Sequence, residues 1–386
     1  MVLDLPPDLV EEILSRVPAK NLWGLRFTCK QWCALFKDQR FTEKQVRKSA
    51  KQCMLLMLKD YRVCSMSVNN LHESDKNADD PSTVFMGELD LKDSRTISDQ
   101  VDVSEIFHRD GLLLCSTKDN SLVVWNPCTG QTKWIQHIHA PYTRKEEGRP
   151  MYFLGYGNNK SRRSYKILRY WDDATLSNQV VEFEIYDFSS DSWRVLNNVT
   201  CNFVPRVNGM SLKGNGYCLA FDKMNHSKKY LLSFDCTTES FERLSLFRFR
   251  ADFRILDHKT IALSVVREEQ LSFLLQLRGA SKVDVWVTNK IDTKQVLWSK
   301  FFTVDIYIPR QKLSFDVSFV IEKVKRVAVG CEPRNSKKIK NVVYIVGEDR
   351  GYSEIDYGVC AKGFSRSIMN CCRPIIFDYV PSLVQY

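Results

Sequence analysis

The stretch VVWNPCTGQTKWI, residues 123–135, reads as an apolar strand, a polar turn and a returning strand. Val123, Val124 and Trp125 suit an extended, covered segment. Asn126, Thr129 and Gly130 carry turn chemistry, because Asx and hydroxyl side chains bond the turn backbone and glycine accepts positive φ. Trp134 then comes back to pack on the first strand. The same order recurs in FEIYDFSSDSWRVL (183–196) and LLSFDCTTESFERL (231–244), and more loosely in VDVWVTNKIDTKQVLW (283–298). Asn126, Asp187 or Asp235 closes the first strand, and Trp134, Trp193 or Phe241 opens the return, with an aliphatic residue close behind. The packing residues of these hairpins are Trp125, Trp134, Tyr186, Trp193, Phe234, Phe241, Trp286 and Trp298.

The copies lie roughly 50–60 residues apart, near the period of a propeller blade. Between them run further short segments rich in Val, Ile, Tyr and Phe, such as LLLC (112–115), YKILRY (165–170) and NVVYIV (341–346). This is the texture of an all-β region. The pattern predicts a β-propeller-like domain, with a β-sandwich or an irregular barrel as the alternative, since kelch double glycines and WD signatures are absent. Residues 70–105 read as a long polar loop within this domain, and GYG (155–157) and GNG (214–216) read as turn glycines.

The first residues have a different period. In LPPDLVEEILSRVP (5–18), Pro7 suits a first helical turn and Asp8, Glu11 and Glu12 favour its positive end. Leu9, Val10, Ile13, Leu14 and Val17 form a helical apolar stripe, and Pro18 stops the helix. A second short helix carries Leu22, Leu25 and Arg26. Thr28 with Gln31 fits a capping box for a third, which presents Cys29, Trp32, Cys33, Leu35 and Phe36. So small a bundle buries too little surface to stand comfortably alone. Its surplus apolar side chains must be covered, either by the rest of the chain or by a partner. The predicted architecture is α+β and multidomain: a three-helix domain over 1–45, a linker over 46–52 and the all-β domain over 53–386. Whether the basic stretch KQVRKSAK (44–51) prolongs the last helix is left open by its sequence.

Composition narrows the function. The chain of 386 residues is 44% hydrophobic and 12% aromatic, which argues for folded domains rather than disorder. The net charge is +10, but the basic runs are short and scattered, which does not point to a nucleic-acid surface and leaves at most a bias toward acidic partners. No secretory leader and no membrane-length apolar run is read in the sequence. The 13 cysteines include no C-x-x-C pair, so they read as packed thiols in a reducing compartment, cytoplasm and/or nucleus.

Catalytic chemistry is not legible. His137 and His139 share a strand face but have no carboxylate or cysteine nearby to complete a metal site. His108, before the Asp110-Gly111 turn, reads as satisfying local backbone groups. Asp172-Asp173 and Glu146-Glu147 are adjacent pairs that in strands face opposite sides. No phosphate loop, H-E-x-x-H or nucleophile elbow is present, so no catalytic, cofactor-binding or metal residue is assigned.

LPPDLVEEILSRVP, then Leu22, LRFTCKQW (25–32) and an ensuing LF resemble an F-box. FHRDGLLLC (107–115), the hairpin at 123–135, YFLGYG (152–157), GMSLKGNGY (209–217), LSVVREEQLSFLLQ (263–276), VLWSKFFTVD (296–305) and the closing YVPSLVQ (379–385) resemble the plant F-box-associated interaction domain (type one). Where that family has Tyr-Trp after its GN turn, this chain has Tyr217-Cys218. The resemblance implies a non-enzymatic substrate adaptor of an SCF-type (Skp–cullin–F-box) E3 ubiquitin ligase. Its helices would bind a Skp-family adaptor, and through it cullin and RING subunits, while its β domain recruits a protein substrate. Carried over by position, Leu5, Pro6, Leu9, Ile13, Leu14, Val17, Pro18 and Trp32 would form or support the adaptor interface. The rival readings are a small-ligand or enzymatic β domain anchored by the helices, and a nucleic-acid binder, which would need a basic stripe.

Overall fold

A computed structural model of the chain describes residues 5–49, 53–69, 82–93, 100–136, 149–159, 162–172, 183–196, 199, 202–224, 229–244, 258–267, 269–277, 281–292, 296–305, 317–334, 340–348, 351–359 and 373–386. Four short helices come first: α1 (Pro7–Leu14), α2 (Ala19–Leu25), α3 (Lys30–Leu35) and α4 (Gln39–Ser49). The fourth is one more than the sequence predicts. Its sequence, QRFTEKQVRKS, is strongly polar, and what holds it is remote in sequence. Phe41, Thr42 and Gln45 are buried, and Lys44 and Lys48 pair with α1. Helix α4 carries the basic stretch as far as Ser49.

The cap of α3 also differs from the reading. Cys29, not Thr28, is the N-cap, with extended backbone (φ −154°) and a side-chain sulfur that accepts the Trp32 N–H at 3.4 Å. Thr28 instead donates its hydroxyl back to the Leu25 carbonyl at 2.7 Å, closing α2.

The remaining elements form six four-stranded sheets. The first has the order β24-β1-β2-β3, from β1 (Met54–Lys59), β2 (Arg62–Asn69), β3 (Ser82–Leu89) and the last strand, β24 (Ile375–Tyr379). The other five are consecutive meanders. They are β4–β7 (Val103–Arg109, Leu112–Thr117, Leu122–Asn126, Gln131–Ile135), β8–β11 (Arg149–Asn159, Arg162–Asp172, Phe183–Asp187, Ser192–Val195) and β12–β15 (Phe203–Leu212, Asn215–Asp222, Lys229–Asp235, Ser240–Leu244). Then come β16–β19 (His258–Val266, Gln270–Leu277, Lys282–Ile291, Val296–Asp305) and β20–β23 (Ser318–Glu322, Val327–Arg334, Lys340–Gly347, Gly351–Val359). Four-stranded meanders of this kind are the blades of a propeller, and the sandwich and barrel alternatives fall away. The repeated sequence hairpins are the outer pairs of four successive sheets: β6–β7, β10–β11, β14–β15 and β18–β19.

Strand β3 lies inside the segment read as one long loop, because its residues STVFMGEL sit on a sheet edge and need little covering. The glycines of GYG are not turn glycines. Gly155 and Gly157 lie within β8, and a Cβ at Gly155 would stand 2.4 Å from the Gly214 carbonyl and 2.7 Å from the Cys236 sulfur. Only Gly214 of the GNG stretch is a turn glycine, at φ +87°.

The chain divides into two compact units. The first comprises Met1–Ser67, Phe85–His137 and Phe377–Tyr386; the second comprises Val68–Val84 and Ile138–Ile376. Within the second, successive sheets pack face to face, and strand periodicity assigns each face. Ile261, Leu263, Leu271 and Phe273 pack with Leu212, Leu219 and Leu231 of the preceding sheet. Their neighbours Ala262 and Leu274 pack with Phe319, Ala328 and Tyr344 of the following one. A strand covered on both faces reads as an unbroken apolar run, which explains LSFLLQ and NVVYIV. Polar links reinforce the stack: Lys166 donates to the Cys236 carbonyl at 3.0 Å and pairs with Glu239 at 2.7 Å.

Candidate functional site

In α1, Pro6 is the N-cap residue, Pro7 starts the helix and Asp8 sits in its first turn. Residues four apart share a helix face, and here one such face is left uncovered. Leu5, Leu9 and Ile13 are 42%, 51% and 52% exposed, and Pro6 is exposed beside them. Leu14, one residue on from Ile13, turns inward and is buried. It joins Ala19, Leu22, Phe36, Phe41 and, from the far end of the sequence, Leu383 in one apolar core. Val17 and Trp32 pack partly buried on that core, and Pro18 is the half-buried N-cap residue of α2. The eight interface candidates thus divide into an outward set of Leu5, Pro6, Leu9 and Ile13 and an inward, supporting set of Leu14, Val17, Pro18 and Trp32.

The outward face is held in place from behind by charge. Lys44 of α4 lies 2.7 Å from Glu11 and 3.2 Å from Glu12, and Lys48 also reaches Glu12. Hydrogen bonds from Lys48, Arg16 and Lys44 hold the Glu12 carboxyl down at about 2.

A second exposed apolar group was missed in the sequence. Phe27 is 78% exposed, and the Arg26 guanidinium stands 3.5 Å from the centre of the Trp23 ring and 4.2 Å from that of Phe27. Phe27 follows the end of α2, where no periodic signal marks it.

The hairpin aromatics occupy distinct places. Tyr186 opposes Trp193 with ring centres 5.4 Å apart, and Phe234 opposes Phe241 at 4.7 Å. In β6–β7, Trp125 faces Thr132 while Trp134 faces Val123. In β18–β19 the register shifts, so Trp286 opposes Lys300, and Trp298 packs instead on Phe273, tilted, with ring centres 4.4 Å apart. Trp193 also takes the buried Arg169 guanidinium over its ring at 4.2 Å.

His108 is partly buried between the rings of Phe377 and Tyr379, each 5.5 Å from it, and desolvation there lowers its pKa to about 3. It is therefore a neutral packing residue at physiological pH. Burial pushes the Cys128 thiol up to about 11 and that of Cys218 to about 12, and raises Cys115, Cys236 and Cys331 as well. Such thiols are poor nucleophiles and poor metal ligands. Cys218, in place of an aromatic residue, packs between Leu232 and the aromatic side chains of the sheet before it. Among the described residues no group of three His, Cys, Asp or Glu side chains could hold a metal, and no helix is long and apolar enough to cross a membrane. His137, His139, Glu146, Glu147, Asp173, Cys371 and Cys372 lie outside the described residues, and of Asp172 only the backbone is described.

Two known families match the chain. Residues 2–44 match the F-box domain family and residues 54–386 match the F-box associated beta propeller domain family. "Putative F-box only protein 9" of Arabidopsis thaliana is 44% identical over 391 residues, covering 99% of this chain and 95% of that protein. A "Putative F-box/kelch-repeat protein" of the same plant is 47% identical over 392 residues, covering 100% and 97%. Among solved structures, the β-propeller domain of Cps50 (Swd1) from Myceliophteria thermophila aligns with a TM-score of 0.40 at 11% identity, covering 79% of this chain and 86% of that one. The chain belongs to the family of F-box proteins that carry an F-box associated β-propeller domain.

Proposed function

We propose that the chain is the substrate-recognition subunit of an SCF-type E3 ubiquitin ligase. The observation that carries this reading is the uncovered stripe of Leu5, Leu9 and Ile13 on a helical module whose other apolar side chains pack into a core of the same chain. A Skp-family adaptor covers the stripe and links the chain to cullin and RING subunits. Fully burying a large aliphatic side chain contributes about 1.5–3 kcal/mol. Half-exposed side chains acting together therefore supply a useful share of the association free energy, with Phe27 as a further anchor at the edge. The β-propeller domain recruits a protein substrate through its loops, and the net charge of +10 suits an acidic partner surface. Ubiquitin transfer is the work of other subunits, so this chain has no catalytic role or cofactor, and it acts in the cytoplasm and/or nucleus.

The test is binding of the purified chain to a purified Skp-family adaptor. A stable complex is expected, weakened roughly 100-fold by the double variant Leu9→Asp, Ile13→Asp. Because both residues point outward, the variant keeps the circular dichroism of the parent. Equal binding by parent and variant overturns the assignment of this face.

A further inference from the structure

The helical module does not contain the whole of its core. Leu383, which follows the last strand of the β domain, is fully buried among Leu14, Ala19, Leu22, Phe36 and Phe41. The closing YVPSLVQ stretch therefore belongs structurally to the first four helices. What seats it is a pair of turns in the β4–β7 sheet.

The β4–β5 turn holds one side. Asp110 and Gly111 both have positive φ (50° and 77°). The Ser382 hydroxyl donates to the Asp110 carbonyl, and the Tyr379 hydroxyl donates to the Gly111 carbonyl at 3.2 Å. No side chain fits at Gly111, where a Cβ would stand 2.4 Å from the Ser382 hydroxyl and 2.8 Å from the Val380 carbonyl.

The β6–β7 turn holds the other. Asn126 is fully buried, and its amide nitrogen donates to the carbonyls of Ser382 and Val384, both at 3.0 Å. Its amide oxygen accepts the N–H of Cys128 at 2.9 Å and of Thr129 at 3.3 Å. The equivalent residues of the repeated hairpins are aspartates, whose carboxylates serve their own turns: Asp187 accepts from the Ser189 N–H and Asp235 from the Thr237 and Thr238 N–H groups. Only an amide can accept on one side and donate twice on the other. An aspartate at 126 keeps the turn but sets a carboxylate oxygen against two carbonyl oxygens.

We infer that Asn126, Ser382 and Leu383 form a latch that completes the helical module, so that adaptor binding depends on the tail being seated on the β4–β7 sheet. Asn126 is the positioning residue of this device. The helices are made first, but a chain whose β4–β7 sheet is unfolded has no seat for Leu383 and presents an incomplete module. The dependence of adaptor binding rests on the function proposed above; the dependence of the helix core on the tail does not.

Hydrogen exchange and adaptor affinity, measured on the full chain, test both parts. Asn126→Asp and Leu383→Asp are each expected to speed amide exchange in α1–α4 and to weaken adaptor binding, by about tenfold or more, as befits an unsatisfied or misplaced buried polar group. Exchange in β16–β19 stays at the parent rate, and Leu383→Met, which keeps the volume, restores both readouts to within about twofold. Ile13→Asp serves as the opposite control, losing adaptor binding with no change in helix exchange. Unchanged helix exchange in either Asn126→Asp or Leu383→Asp overturns the latch. Equal acceleration in β16–β19 overturns it too, since Asn126 would then be a general fold residue. Faster helix exchange with undiminished adaptor affinity overturns the coupling. If the parent binds no adaptor, the proposed function fails while the exchange arm still decides the latch.

Discussion

Glu12 of α1 and Lys44 of α4 stand 3.2 Å apart, and Lys44 is 2.7 Å from Glu11 as well. With Lys48 they form the electrostatic tie between the first and fourth helices, and Arg16 pairs with Glu12 from its own side. The Glu12 carboxyl is held from its ordinary 4.5 down to about 2. A depressed carboxyl contributes stability that is full above its unfolded pKa and lost as pH falls through its folded one. The tie should therefore weaken as pH drops from 4.5 toward 2. Glu12→Gln is expected to lower the urea midpoint of helix unfolding at neutral pH, and to match the parent near the acid end. Added salt should shrink the neutral-pH difference, because the pairs are solvent-facing.

Ile13 and Leu14 are neighbours in sequence with opposite surroundings. Leu14→Ala should cost about 2–5 kcal/mol in the stability of the helical module, the range for emptying a core leucine. Ile13→Ala should change stability by less than about 0.5 kcal/mol, as a surface substitution does. Chemical denaturation of both variants checks this. A larger loss for Ile13→Ala would mean that the stripe is covered within the chain.

Gly155 sits in β8 with the Gly214 carbonyl where its Cβ would be. Backbone cannot swing aside as a flexible side chain can. Gly155→Ala should thus destabilise the second unit by about 1–3 kcal/mol or more. Gly87 of β3 is the control, since a Cβ there meets nothing within 4 Å. Gly87→Ala should stay within about 0.5 kcal/mol of the parent or gain slightly. Thermal unfolding of the two variants distinguishes them.

His108 keeps its ring neutral down to about 3, against an ordinary 6.5, because the packed rings desolvate it and Arg109 lies beside it. The unfolded chain takes up this proton first, so stability is undiminished above 6.5 and falls as pH drops from there toward 3. One proton sets a slope of at most about 1.4 kcal/mol per pH unit. Replacing the ring by an uncharged side chain, His108→Leu, should flatten the profile of unfolding free energy across that window. A profile as steep as the parent's would place the titration elsewhere.

What could be read from the sequence was local. The stripe of Leu9, Ile13 and Leu14 follows from helical spacing, and the hairpins at 123–135, 183–196 and 231–244 follow from strand, Asx turn and returning aromatic. What escaped depended on distant neighbours. Local statistics favour turns for the glycines of GYG, yet Gly155 is required by the approach of Gly214 and Cys236. Helix α4 looks unremarkable by composition and is held by Glu11, Glu12 and the core around Phe41. The division of the interface candidates between outward Ile13 and inward Leu14 needed the positions of Phe36, Phe41 and Leu383. Cys29 escaped as a cap because a thiol is not among the side chains that usually fill that role.

The seating of Leu383 between Leu14 and Phe36 bears on how such chains are recombined. A crossover placed between the helices and the sheets, the obvious joint by sequence, would pair one parent's Leu14 face with another's tail and with another's Asn126. Helices α1–α4, the two turns and residues 379–384 are a single heritable piece, although they lie far apart in the sequence. A chimera that exchanges the other sheets while keeping that piece together should retain a sound helical module, whereas one that exchanges the N-terminal helices alone inherits a mismatched core.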